Sequence, residues 1–195
     1  MLPEYIIFFA IALNLVGQIF YIRSIARGEA RPNLVTWFVW MLAPFIAVFF
    51  QIKAGAGLSI LPIFMAGFGP LIIIIAALLK KNNYWKMTTF DIYCGLLAIV
   101  ALLCYVATQN LGLSIIFALL SDMLASIPTI VKSWKFPETE SSSAYIGAVV
   151  SNVIGLLIIK TWSFSIYSFG VWLIVLNLGL TIIIHRKKII LWYTK

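Results

Sequence analysis

Seven runs of apolar residues, at about 4–23, 35–52, 57–79, 87–107, 111–133, 143–160 and 165–185, follow one another along the chain, parted by short polar breaks. A helix needs roughly 20 predominantly apolar residues to cross a bilayer, so each run predicts a membrane-spanning helix. The second and sixth are the shortest, which leaves the count open by one helix. The breaks run from Arg23 to Asn33, Lys53 to Ala56, Lys80 to Lys86, Thr108 to Asn110, Lys135 to Ser143 and Lys160 to Ser163. Pro32-Asn33 and Ser141-Ser142-Ser143 place N-cap oxygens directly before the second and sixth spans. The opening Met1-Leu-Pro-Glu-Tyr lacks the positive segment of a signal peptide, so the first run is expected to be a span of the mature protein.

Composition makes lipid the solvent for these runs. Of 195 residues, 63% are hydrophobic and 10% charged, against about a quarter charged in a soluble domain. A small soluble domain leaves too much of its surface in water to hide so many apolar side chains. The net charge of +8 points away from nucleic acid, because the basic residues sit between the apolar runs. It reads as orientation, since cytoplasmic loops collect Lys and Arg. With the N-terminus outside, seven spans put Arg23, Arg27, Arg31, Lys80, Lys81, Lys86, Lys132, Lys135, Arg186, Lys187, Lys188 and Lys195 in the cytoplasm. Only Lys53 and Lys160 fall outside, and this twelve-to-two split predicts an N-out, C-in chain. An even number of spans would mix the two sides. Cys94 and Cys104 share one run and read as helix-packing residues. With a single histidine, His185, no Cys/His metal site and no cofactor are expected.

Loop lengths predict an internal repeat. Spans one to three have a long first connection and a short second one, and spans five to seven have the same. The fourth span stands alone, so the two triplets run parallel. The expected fold is an all-α membrane protein of two parallel three-helix bundles, 1–79 and 111–195, joined by a linker helix in 80–110. Two repeat registers compete. A shift of 108 sets Asn14 on Asp122 and Trp37 on Tyr145, whereas a shift of 111 sets Gly17 on Pro128 and Pro44 on Gly155. They differ by about one helical turn and put similar faces together. Internal repeats with a site between them recur in transporters.

Two segments carry a resemblance. One is Gly17-Gln18-Ile-Phe-Tyr-Ile-Arg through Arg31-Pro32-Asn33-Leu-Val-Thr36-Trp37; the other is Ser126-Ile127-Pro128-Thr129 through Lys132-Ser133-Trp134. In each, a kink-prone residue and a polar one precede a basic turn leading to the next helix. In this the chain resembles the SWEET, PQ-loop and nicotinamide-riboside transporter superfamily, with Gly17-Gln18 standing where Pro-Gln is usual and Pro128-Thr129 keeping only the proline. The resemblance implies two three-helix bundles joined by a linker helix, and carriage of a small solute.

Asp122 is the most informative single residue. It lies near the middle of the fifth span, where an ionised carboxylate costs on the order of 2.5–3.5 kcal/mol on insertion scales and so turns to the bundle interior or to water. It reads as a substrate contact or a proton-carrying carboxylate, with interhelical packing as the alternative; the resemblance to proton-coupled PQ-loop carriers implies the former. Asn14 and Gln18, four apart on the first span, share a face. Asn152 and Asn177 are polar and near mid-membrane, and the scatter of these amides over three spans fits a shared central cavity, although packing can also use them. For Asn177 the resemblance adds a role, because SWEET-type pockets use an asparagine on the last helix of each bundle. Trp37 sits near a helix end, where tryptophan anchors at the interface; Trp40 is deeper and could stack on a sugar or heterocycle. Tyr145 and Trp172 are weaker candidates. Trp85, Trp134, Trp162 and Trp192 read as belt residues, and Asp91 as a helix-start residue beside Thr88 and Thr89. Pro44, Pro70 and Pro128, with Pro62, interrupt helix hydrogen bonding and are candidate hinges.

The expected function is transport of a small polar solute, a sugar or a vitamin- or nucleoside-like molecule, by alternating access and with or without proton coupling. The expected setting is the plasma (inner) membrane, with the solute and the lipid bilayer as partners, no nucleic acid, and no requirement for an oligomer. A receptor, scaffold or assembly factor on the same fold is the alternative, and Pro137-Glu138-Thr139-Glu140 is its one candidate recognition patch. The lack of histidine clusters and of a second mid-membrane carboxylate argues against an enzyme.

Overall fold

The computed structural model describes residues 3–53, 55–80, 84–108 and 111–193, with Leu111 and 187–193 described as backbone only. Lys81, Asn82, Asn83, Gln109, Asn110 and Lys195, and the side chains of Lys187, Lys188 and Trp192, lie outside the described residues. Among the described residues there are seven α-helices and no strand: α1 Ile6–Arg27, α2 Leu34–Lys53, α3 Leu61–Leu79, α4 Thr89–Ala107, α5 Leu111–Lys135, α6 Ser143–Leu157 and α7 Phe164–Tyr193. One helix answers each predicted run. Only helices satisfy every backbone polar group within a single lipid-exposed segment, which is why apolar length translates so directly into helix. Six of them are long and apolar enough to cross a membrane, and the shorter α6 is apolar as well. This is the build of a multi-pass integral membrane protein.

The helix ends depart from the apolar runs in instructive ways. α1 continues past Arg23 because nothing in Ser24-Ile25-Ala26 breaks a helix. Gly28 stops it at φ 81°, a left-handed conformation that glycine takes without a Cβ clash, its N–H bonded to the Ile25 carbonyl. Asn33 caps α2 as expected, its Oδ1 accepting from the Val35 N–H at 3.1 Å while its amide donates to Asp91 Oδ1 at 3.0 Å. Asp91 itself forms a capping box with Thr88 at the start of α4. The serine cap expected before α6 is not made. Ser142 makes no capping bond, its Oγ lying 2.7 Å from His185 Nε2 on α7 instead, and Ser141 pairs with Ser143.

α3 packs against both α1 and α2, and α7 against both α5 and α6; α1 lies on α6, α2 on α5, and α4 leans on α5 and α2. The α4 contact face has small residues along its middle, Cys94, Gly95, Ala98 and Ala101, which let backbones approach, with Leu102 and Tyr105 buried beyond them. Its other side exposes Tyr93, Leu96, Leu97, Val100 and Leu103, the face a lipid-solvated helix presents. The closest approach is between α1 and α6. A Cβ on Gly17 would stand 2.5 Å from the Ser143 carbonyl oxygen, and one on Gly147 would stand 3.1 Å from Asn14 Cα. At one end of this seam Glu4 pairs with Lys160, both side chains largely open at 40% and 74% exposure. Such a pair contributes little, so Lys160→Met is expected to change thermal stability in detergent by no more than about 1 kcal/mol.

Candidate functional site

Six helices close around one central cavity. α1 contributes Asn14 and Gln18, α2 Trp37, Trp40 and Pro44, α3 Ala66 and Pro70, α5 Asp122, α6 Ala144, Tyr145 and Ala148, and α7 Leu173, Leu176 and Asn177. Its volume is ≈ 40 Å³, room for about two or three waters. Pockets that hold small molecules measure roughly 300–1,000 Å³, so the arrangement seen here is contracted, and entry of a solute requires the helices to part.

The polar groups are placed by helix periodicity. Asn14 and Gln18 lie one turn apart on α1, the Gln18 amide reaching Asn14 Oδ1 at 3.5 Å. Asn14 in turn donates to Ser151 Oγ on α6 at 2.9 Å, which fastens the α1–α6 contact at the cavity wall. Gln18 is pressed against α3, where Gly69 leaves it space: a Cβ there would fall 2.5 Å from Gln18 Nε2. Asp122 is 1% exposed and accepts from Trp172 Nε1 at 2.7 Å through Oδ2. Among the described residues, no lysine, arginine or histidine forms an ion pair with it. Asn177 donates to its own helix at Leu173 and lines the cavity.

Aromatic rings form one side of this space. Trp37 stacks on Tyr145 with centroids 6.1 Å apart, Trp40 meets Trp37 edge-on at 5.4 Å, and Tyr21 sits 5.1 Å from Trp37. Trp37 is thus a buried wall residue and not an interfacial anchor. Four buried polar atoms of the lining residues have no hydrogen-bond partner among the described residues: the donors Trp37 Nε1 and Trp40 Nε1, and the acceptors Gln18 Oε1 and Asp122 Oδ1. Buried polar groups are rarely left unpaired. Two free donors and two free acceptors around one space suit a molecule that both gives and accepts hydrogen bonds.

Of the residues singled out in the sequence, Asn14, Gln18, Trp40, Asp122 and Asn177 converge here, with Pro44 and Pro70 in the wall. Asn152 does not line the cavity. It turns back to the Ala148 carbonyl at 2.8 Å, beside Gly170 of α7. Pro128 is also elsewhere, in a recess between α4 and α5 with Trp85 and Lys132. Trp134 and Trp162 stand exposed near helix ends, as belt residues do.

A second polar group lies just beyond the aromatic wall, and sequence reasoning passed over it. Lys132 of α5 and Glu140 of the α5–α6 connection meet at 2.5 Å with side chains 1% and 0% exposed. The Tyr21 and Tyr145 hydroxyls donate to Glu140 Oε2 at 2.7 and 3.2 Å. Lys132 had counted only as a cytoplasmic charge, and Glu140 as part of a loop patch. The available signal was an acidic loop, Glu138 and Glu140, on the side that otherwise collects lysine and arginine. No known protein family, no curated protein and no solved structure matches this chain.

Proposed function

We propose that the chain is a transporter that passes a small polar solute through the central cavity by alternating access. The observation that carries this reading is the cavity itself: a carboxylate, three amides and two indoles, drawn from α1, α2, α5 and α7, around a space with unpaired donors and acceptors. In lipid such groups are expensive unless they serve a partner or a pathway. The helices are read as two parallel three-helix bundles, α1–α3 and α5–α7, joined by α4, with the basic end in the cytoplasm. Packing supports that reading, because the third helix of each triplet lies against the other two, and α1 on α6 mirrors α5 on α2. The 108-residue register is supported by the lining too. Asn14 and Asp122, Trp37 and Tyr145, and Trp40 and Ala148 are each separated by that interval, and all six line the cavity. The site then lies on the axis between the repeats, and helix motion about Pro44 and Pro70 opens it to one side at a time.

Purified protein in proteoliposomes, offered labelled sugars and vitamin-like nucleosides with and without a pH gradient, is expected to take up one of them. Ala148→Trp, which fills the cavity, is expected to abolish that uptake. Uptake that survives Ala148→Trp would place the path elsewhere. No uptake over the whole panel by folded protein would favour a non-transporting receptor or scaffold.

A further inference from the structure

Both side chains of the Lys132–Glu140 pair are out of water, and every group around them belongs to a different part of the chain. Lys132 Nζ bonds Glu140 Oε1 and also the Arg31 carbonyl in the α1–α2 connection, and it lies 5.6 Å over the Trp85 ring. Glu140 Oε2 takes the hydroxyls of Tyr21 on α1 and Tyr145 on α6. The backbone adds a further tie, with the Arg31 N–H donating to the Thr139 carbonyl at 2.9 Å. Both triplets of helices are therefore bound to one charged pair. Its place along the bundle is equally specific. Tyr145 and Trp37 line the cavity, Tyr21 touches both rings, and Tyr145 and Tyr21 reach Glu140 directly on the side toward Arg31. The pair sits beneath the aromatic wall, between the cavity and the basic end.

At the other end of the α1–α6 seam the buried contact is apolar, formed by Ile7, Ala10 and Ile158, and the Glu4–Lys160 pair outside it is open to water. Closure at the two ends thus has different chemistry. An apolar contact parts at a cost that grows smoothly with the area exposed. A buried ion pair is held in an all-or-none way, because loss of one partner leaves the other charged and desolvated. Opening at the basic end requires Tyr21, Tyr145 and Arg31 to leave the pair, and it brings Lys132 and Glu140 to water.

We propose that Lys132, Glu140, Tyr21 and Tyr145 form a latch that closes the central cavity toward the basic end of the bundle. The inference concerns access alone and holds for any solute the cavity takes, or for none. With Glu140 neutralised, Lys132 keeps a buried charge without a counterion in the closed form and gains water in the open one, so the open form is favoured. Restoring an opposite-charge pair in reversed order favours closure again.

The test is thiol accessibility in protein with Cys94 and Cys104 replaced by serine and Ala148→Cys as the reporter in the cavity wall. Right-side-out and inverted vesicles are treated with a membrane-impermeant, positively charged methanethiosulfonate, and labelling is followed by mass. Glu140→Gln is expected to speed labelling from the basic side by about tenfold or more, with no change from the other side. The Lys132→Glu, Glu140→Lys double variant is expected to bring the rate back toward that of the parent. Should Glu140→Gln fail to fold, Glu140→Asp retains the charge one methylene short and is expected to speed labelling from the same side. Unchanged labelling in folded single variants would overturn the latch. So would equal acceleration from both sides, which marks general loosening, or a charge-reversed pair that labels as fast as the single variant.

Discussion

Protein carrying Asp122→Asn is expected to fold and pack as the parent does, yet to lose all uptake driven by a pH gradient, falling to the level of empty vesicles. Exchange of solute without a gradient is expected to persist. The substitution is nearly isosteric, and a side-chain carbonyl remains to accept the Trp172 Nε1 hydrogen bond seen at 2.7 Å. What disappears is the only acidic group lining the cavity among the described residues. A buried carboxylate with no basic partner among the described residues can be neutralised by a proton or by a cationic solute, and an amide by neither. Trp172→Phe separates the two functions of the residue, since it removes the hydrogen-bond donor and leaves the carboxylate in place. It is expected to weaken uptake without uncoupling it. If uptake ignores both the gradient and Asp122→Asn, the protein is a uniporter and Asp122 serves to bind Trp172.

The second large effect lies on the α1–α6 seam. Gly17→Ala is expected to destabilise the protein by about 1–3 kcal/mol, and Gly17→Leu by more. The obstruction is backbone: the new Cβ would sit 2.5 Å from the Ser143 carbonyl oxygen, and no rotamer change relieves it. Separation of the helices would also cost the Asn14–Ser151 hydrogen bond, which in a membrane interior averages roughly 0.6 kcal/mol. Gly179→Ala provides the control. It too is a glycine inside a helix, but a Cβ there meets nothing within 4 Å. With space available, alanine is favoured over glycine in a helix by roughly 0.5–1 kcal/mol, so this variant is expected to be the more stable. Thermal denaturation in one detergent, read by light scattering or intrinsic tryptophan fluorescence, checks both signs. Equal behaviour of the two variants would mean that the α1–α6 contact is looser than described.

The helices were legible because the bilayer imposes a simple rule, apolar length with internal hydrogen bonding; six of the seven runs obey it, and the sixth in order forms an apolar helix that is shorter. Asn14, Gln18, Asp122 and Asn177 were legible for a related reason, since polar groups inside spans turn toward one another or toward water. Asn152 shows where that logic stops. Asn152 and Asn177 have the same chemistry and each donates to a carbonyl of its own helix, Ala148 and Leu173, but Asn152 lies against Gly170 of α7 while Asn177 lines the cavity. Residue type alone cannot choose between the two outcomes, because that depends on which neighbour each helix face meets. For Gly17 the resemblance implies a kink position standing in for proline; the structure adds that its missing Cβ admits Ser143. Lys132 and Glu140 were hidden for a different reason. Charges in a connection are normally solvated, and their burial here depends on Tyr21, Arg31 and Tyr145, which are distant in sequence from one or both of them. The expected serine cap of α6 failed because His185, more than forty residues away, takes Ser142.

The length of α6 couples this protein to the membrane around it. Its 15 residues span about 22 Å at 1.5 Å per residue, against a hydrocarbon core of roughly 30 Å. Ile146, Val153 and Leu157 face outward from it, so the lipid beside α6 must thin or the helix must pull neighbouring polar turns inward. Either adjustment stores elastic energy in the wall that carries Tyr145, Ala148 and the contact with Gly17. On the reading of the chain as a transporter, bilayer thickness then becomes a mechanical input to the cavity, and acyl chain length a control on its opening.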